Sequence, residues 1–160
     1  MIRDELFNSP LEHGLRCLFL LDAIHPSSVD LQRLVIYDFF FTYSKGINDK
    51  LPELQPVFPQ HTGQLMLKRE LIRKGLEVLC NKGLVDYHMS NDGIEYSSKP
   101  FVGKILDSFQ SSYAKKASEV AIWIASDIHL IPYQKLEKLI DDTIGVLGTE
   151  FTNALIDWEE

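Results

Sequence analysis

The sequence predicts a mainly α fold, a winged helix-turn-helix of three helices plus a β-hairpin wing, with a C-terminal helical extension. Three observations carry that prediction. Apolar residues recur at helical spacing in three successive segments of the first half. Immediately after the third, "LVDYHMSNDGIEYSSKP" switches to strict alternation around an Asn91-Asp92-Gly93 turn, which is the signature of a hairpin. From Pro100 onward the period returns to that of helices. These boundaries divide the chain into a winged unit over residues 1–98 and a helical extension over 99–160, packed on that unit or on a partner.

The first helix is announced by "NSPLEHGLRCLFLLDAIHP". Ser9 is placed to cap it, Pro10 to occupy its first position and Glu12 its first turn. Leu11, Leu15, Leu18, Leu21 and Ile24 (or Ala23) form its expected apolar stripe, and His25-Pro26 ends it. The second, "SSVDLQRLVIYDFFFTYSKG", takes its cap from Ser28 or Asp30 and is closed by Gly46. Its aromatic residues Tyr37, Phe39, Phe40, Phe41 and Tyr43 run all round, so it is expected at the centre of the fold. Residues 45–60 then read as a loop, because Pro52, Pro56 and Pro59 forbid a helix.

Thr62 opens the third helix, with Leu65, Leu71 or Ile72, Leu76 and Leu79 facing inward and Gly83 as its stop. Val85, Tyr87, Met89, Ile94 and Tyr96 mark the strands of the hairpin. In the extension, one helix runs from Pro100 through Phe101, Ile105, Leu106 and Phe109. A second buries Ala117, Val120, Ala121, Ile124 and Ile128. A third follows Pro132 with Leu136, Leu139, Ile140 and Ile144 apolar, and residues 149–158 suggest a last short helix.

Composition limits the function classes. The chain has 160 residues, 45% hydrophobic and 24% charged, as expected of a folded domain. No apolar run approaches the roughly 20 residues of a membrane span, and "MIRDELFNSP" lacks the apolar core of a secretory signal. The expected location is the cytoplasm, where Cys17 and Cys80 are expected to be reduced and buried. The net charge of −7 is unevenly spread: −3 over residues 1–60, +3 over 61–116 and −7 over 117–160. Only the middle could approach a phosphate backbone without repulsion, and the acidic last third suits a protein partner.

Candidate chemistry is sparse. His13, His25, His61, His88 and His129 show no metal-ligand spacing. Neither a G-x-S-x-G, a phosphate-gripping glycine loop nor an H-E-x-x-H occurs. No catalytic, cofactor-binding or metal-binding residue is therefore assigned, and no enzyme is expected. The possible DNA- or partner-contacting residues are His61, Lys68, Arg69 and Arg73. His61 precedes a helix N-terminus, where free N–H groups favour an anion, although Thr62 as a plain cap explains the same residues. Lys68, Arg69 and Arg73 fall within about 140° of one another at 100° per residue. That arc suits phosphate contact or a solvated face laced to Glu70 and Glu77. Gln64 alone offers the amide a base-reading face usually carries, so non-specific contact or protein docking is the expectation.

The segments "SPLEHGLRCLFLLDAIHPSSVDLQRLVIYDFFFTYS", "HTGQLMLKRELIRKGLEVLCNKGLVD", "NDGIEY", "SSYAKK" and the late "GTEFT" together resemble the small middle component of bacterial ABC-three-component systems, the third subunit of Lamassu-type anti-phage and anti-plasmid defence. The resemblance runs from about residue 8 to residue 151. It implies a non-catalytic winged-helix subunit bridging an SMC-like ATPase and an effector, often a nuclease, in response to foreign DNA. It implies further that ATP and metal chemistry belong to those partners and that DNA contact belongs to the complex. The alternative reading is a stand-alone winged-helix DNA-binding transcriptional regulator.

Overall fold

The computed structural model describes residues 9–54, 62–91 and 93–147, with the side chains of 62–67 and 143–147 outside that description. The described residues are mainly helical, with one small antiparallel sheet of three strands among them.

Helix α1 spans Pro10–Ile24. The Ser9 side chain accepts from the Glu12 backbone N–H at 3.2 Å, satisfying one of the four donors that a helix start leaves open. The expected single stripe is corrected. Leu11 is 58% exposed, while His13, Gly14, Arg16, Cys17, Ile24 and all of Leu18–Leu21 are buried. Helices on several sides enclose α1, so it is as central as the second helix was expected to be.

A two-residue strand β1, Val29–Asp30, follows. It pairs with a later strand through Val29↔Tyr96 and Asp30↔Glu95. Two residues carry no readable period, which is why the sequence hides it. Asp30 also caps α2 (Leu31–Thr42), its carboxylate accepting from the Arg33 N–H at 2.8 Å. Every residue from Leu34 to Phe41 is buried. Tyr37, Phe40 and Phe41 are among the largest fully enclosed side chains, and burying each phenylalanine contributes roughly 1.5–3 kcal/mol. The expected proline loop begins instead with a single helical turn, α3 (Ser44–Ile47); residues 55–61 lie outside the described residues.

Helix α4 covers Thr62–Asn81, with Ile72, Leu76 and Leu79 buried. It ends where the chemistry demands. Gly83 takes φ 75°, its N–H reaches the Cys80 carbonyl at 3.0 Å, and the Leu84 N–H reaches Leu79 at 3.0 Å. These two bonds satisfy the last carbonyls in a way that a side chain at position 83 would oppose. Strands β2 (Val85–Ser90) and β3 (Gly93–Ser98) form the expected hairpin, in register Tyr87↔Tyr96 and Met89↔Ile94. The sheet order is β1-β3-β2. Helix, strand, helix, a single helical turn, helix, strand, strand in that order is compatible with a winged helix-turn-helix.

The extension contributes α5 (Val102–Asp107) and α6 (Ser112–Trp123), which runs into a widened π turn at Ile124–Ile128, then α7 (Tyr133–Leu147). The His129 N–H bonds the Ile124 carbonyl at 2.8 Å, the five-residue span of a π turn. Ala117, Val120, Ala121, Ile124, Ile128, Leu136 and Ile140 are buried. With Val102 and Leu106 they join the same hydrophobic core as α1, α2 and α4. The helix expected from Pro100 through Phe109 is shorter, Val102–Asp107, and Phe101 and Phe109 flank it at 48% and 42% exposure. The expected helix over 149–158 lies outside the described residues.

Candidate functional site

The cations singled out on the third long helix do not share a face. Lys68 is only 6% exposed, and its ammonium stands 2.9 Å from Asp38 Oδ2 and 3.4 Å from Thr42 Oγ1. Counting by helical steps explains this: Lys68, Ile72, Gly75, Leu76 and Leu79 lie on one inward stripe. Arg69 is half-buried at the junction of α2 and α7. It donates to Gln32 Oε1 at 2.8 Å, and Gln32 Nε2 donates to the Tyr133 hydroxyl at 3.4 Å. Arg73 is exposed and grips Glu70 through two bonds of 2.6 and 3.1 Å, with Glu77 at 3.7 Å. The shared arc thus resolves into one core cation, one seam cation and one solvated, ion-paired cation. His61 lies outside the described residues.

The structure brings together a group that the sequence reading did not single out. Asp38, fully buried, receives Arg16 Nε at 2.9 Å from α1 as well as Lys68 from α4. His13 lies one turn before Arg16 on α1, its Nδ1 donating to the Ser9 carbonyl at 3.0 Å. Burial alone would push the Asp38 carboxyl up, but Arg16 and then Lys68 outweigh it and hold the group well below the usual carboxylate range. Burial pushes His13 down to about 4 against the pull of Asp38, with Arg16 adding to the depression. Burial likewise lowers Lys68 despite Asp38, and Arg16 lowers it further. At neutral pH His13 is therefore uncharged, and the Arg16 and Lys68 side chains share one carboxylate. The shared carboxylate ties three helices to one geometry. Cys17 beside it is fully enclosed, and burial pushes its thiol upward, so it is no nucleophile at neutral pH.

A second polar group fastens the extension to α2. The Arg33 guanidinium donates to the carbonyls of His129 (2.9 Å) and Ile131 (2.7 Å), which follow the π turn. Its Nε also donates to the Tyr37 hydroxyl at 2.7 Å. The Tyr37 hydroxyl also shares a hydrogen bond with His129 Nδ1, 2.7 Å away. Burial, reinforced by Arg33, lowers the His129 pKa.

The hairpin presents two unlike faces. Tyr87 and Met89 are 63% and 74% exposed, with Ile94 opposite Met89. The other face holds Asp86, paired with Lys99 at 2.7 Å, and His88, 3.4 Å from Glu95. This wing offers apolar surface and acids rather than the cations a phosphate backbone requires. Among the described residues no group of three His, Cys, Asp or Glu side chains could hold a metal ion, and no helix is long and apolar enough to cross a membrane.

Comparison with known families gives one match. The model of ABC-three component (ABC-3C) system Middle Component 2 covers residues 6–150, most of the chain. No curated protein and no solved structure matches the chain.

Proposed function

Because the chain belongs to the Middle Component 2 family of ABC-three-component systems, we propose that it is a non-catalytic, cytoplasmic accessory subunit of a Lamassu-type defence complex. In this reading it bridges an SMC-like ATPase and an effector nuclease when foreign DNA is sensed. Residues 1–98 act as a winged helix-turn-helix and 99–160 as its helical extension. A three-component system implies partner subunits, and the match over residues 6–150 is the observation that carries the reading. The internal engagement of Lys68 and Arg69, and the acidic, apolar wing, support a role in protein contact over one in gripping DNA.

Co-expression of the tagged chain with the genes beside its own tests this. The expected result is a stable complex containing an SMC-like ATPase and an effector. A chain that purifies alone, ignoring an adjacent ATPase, overturns it.

The sheet order β1-β3-β2 behind α4 favours one second reading, a stand-alone winged-helix regulator. That reading needs Arg69 and Arg73 to meet phosphates, with Lys68 already committed to Asp38. It predicts a preferred operator at moderate salt that is lost on Arg69→Glu and Arg73→Glu substitution; uniform weak binding across sequences removes it.

A further inference from the structure

Strand β2 is an outer strand: among the described residues its hydrogen-bonded neighbour is β3 alone. Proteins guard such edges with lysines, prolines, bulges or a covering element, since open backbone groups recruit further strands. β2 has none of the first two, and its register with β3 runs through six consecutive pairs without interruption. Four successive residues, Asp86 to Met89, are exposed.

The side chains of this edge specify what would fit. Tyr87 and Met89 stand on one face, with Ile94 extending the apolar surface across the hairpin. Asp86 and His88 stand on the other, with Glu95 opposite His88. On that polar face, among the described residues, the two carboxylates Asp86 and Glu95 are met by one lysine, Lys99, and by His88. A complementary strand therefore carries apolar side chains on one face and lysine or arginine on the other. A second copy pairing through the same edge would set its own Asp86 and Glu95 against these acids, like charge against like. DNA is repelled by the same acids.

We propose that β2 is a docking edge on which an extended segment of a partner subunit, alternating apolar and basic side chains, adds as a fourth strand beside Tyr87 and Met89. Backbone bonds along the open edge hold the segment, and the two faces select it. The proposal rests on the reading that the chain works inside a multi-subunit assembly.

The test uses the full-length tagged chain co-expressed with the products of its neighbouring genes. In the wild-type complex, the amides of Tyr87 and Met89, which face away from β3, are expected to exchange with deuterium more than tenfold more slowly than in the free chain. Met89→Lys and Tyr87→Lys are each expected to lower capture of the partner at least tenfold, while circular dichroism and melting stay unchanged. Wild-type capture with unaltered exchange at β2 and unaltered capture by the variants overturns this proposal alone. Variants that shift only self-association in sedimentation assign the edge to a second copy and overturn it too, as does a change confined to DNA binding. A wild-type chain that captures nothing removes the accessory-subunit reading, and the docking edge with it.

Discussion

Gly14 and Gly75 meet where α1 crosses α4, so closely that a methyl group on Gly75 would lie 2.8 Å from the Gly14 Cα and 2.7 Å from its backbone nitrogen. No side chain can yield there, because the obstacle is backbone.

Gly75→Ala should therefore destabilise the protein. In a free helix the same change stabilises by roughly 1 kcal/mol through propensity. Here α1 must move outward, and overpacking of this kind costs about 1–3 kcal/mol. Urea unfolding that shows Gly75→Ala to be as stable as the wild type or more so would contradict the close crossing.

The buried charges make a prediction with two unequal arms. Asp38→Asn leaves Arg16 and Lys68 enclosed without a counter-ion, a situation that costs roughly 3–5 kcal/mol. Lys68→Met removes the surplus cation and leaves Arg16 and Asp38 matched one to one, so its cost should be clearly smaller. Denaturation midpoints of the two variants decide this. Equal losses would mean that the surplus charge has no energetic consequence.

Acid should weaken the fold early. His13 is depressed to about 4 in the folded state against 6.5 when unfolded, so the unfolded chain binds the extra proton first. Its contribution, about 3 kcal/mol, is complete above pH 6.5 and drains away as pH falls toward 4. His129, also depressed, acts in the same direction. Asp38, held low by Arg16 and Lys68 against its burial, extends the loss below pH 4. Urea midpoints measured from pH 7 to pH 4 should fall steadily, and His13→Gln should flatten the upper part of that slope. An unchanged slope in the variant would assign the effect to other groups.

The link between α2 and the extension can be cut at one side chain. Arg33→Ala deletes three bonds of 2.7–2.9 Å to Tyr37, His129 and Ile131. A loss of about 1.5–3 kcal/mol is expected for charged hydrogen bonds of this kind. Hydrogen exchange should quicken around residues 124–133 more than in the hairpin. Uniform quickening across the whole chain would show that the extension is not separately fastened.

Much of this fold was legible because local rules and global packing agree. Ser9 before Pro10, Gly83 after a leucine stripe and Asn91-Asp92-Gly93 between alternating strands each state their role within a few residues. β1 was not legible, because a two-residue strand gains its identity only from Tyr96 and Glu95 across the sheet. The candidate site failed for a related reason. Lys68, Arg69 and Arg73 look alike in sequence, and their fates depend on Asp38, Gln32 and Glu70, two of which lie on another helix. The available signal was a misplaced charge: Asp38 amid aromatics, Arg16 amid leucines and Lys68 on an apolar stripe call for one another, since an unpaired buried ion is too costly to keep.

The π turn at Ile124–Ile128 sets the phase of everything after it. It holds one residue more than an ordinary helical turn, as an insertion would, and everything downstream inherits a rotation of about 100°. Removing one residue from this stretch would let an unbroken α-helix form and would swing His129, Ile131 and Tyr133 off the partners they now meet on α2. Chain length at this point is therefore under tighter constraint than residue identity: a gained or lost codon here alters how the two halves of the molecule are keyed together.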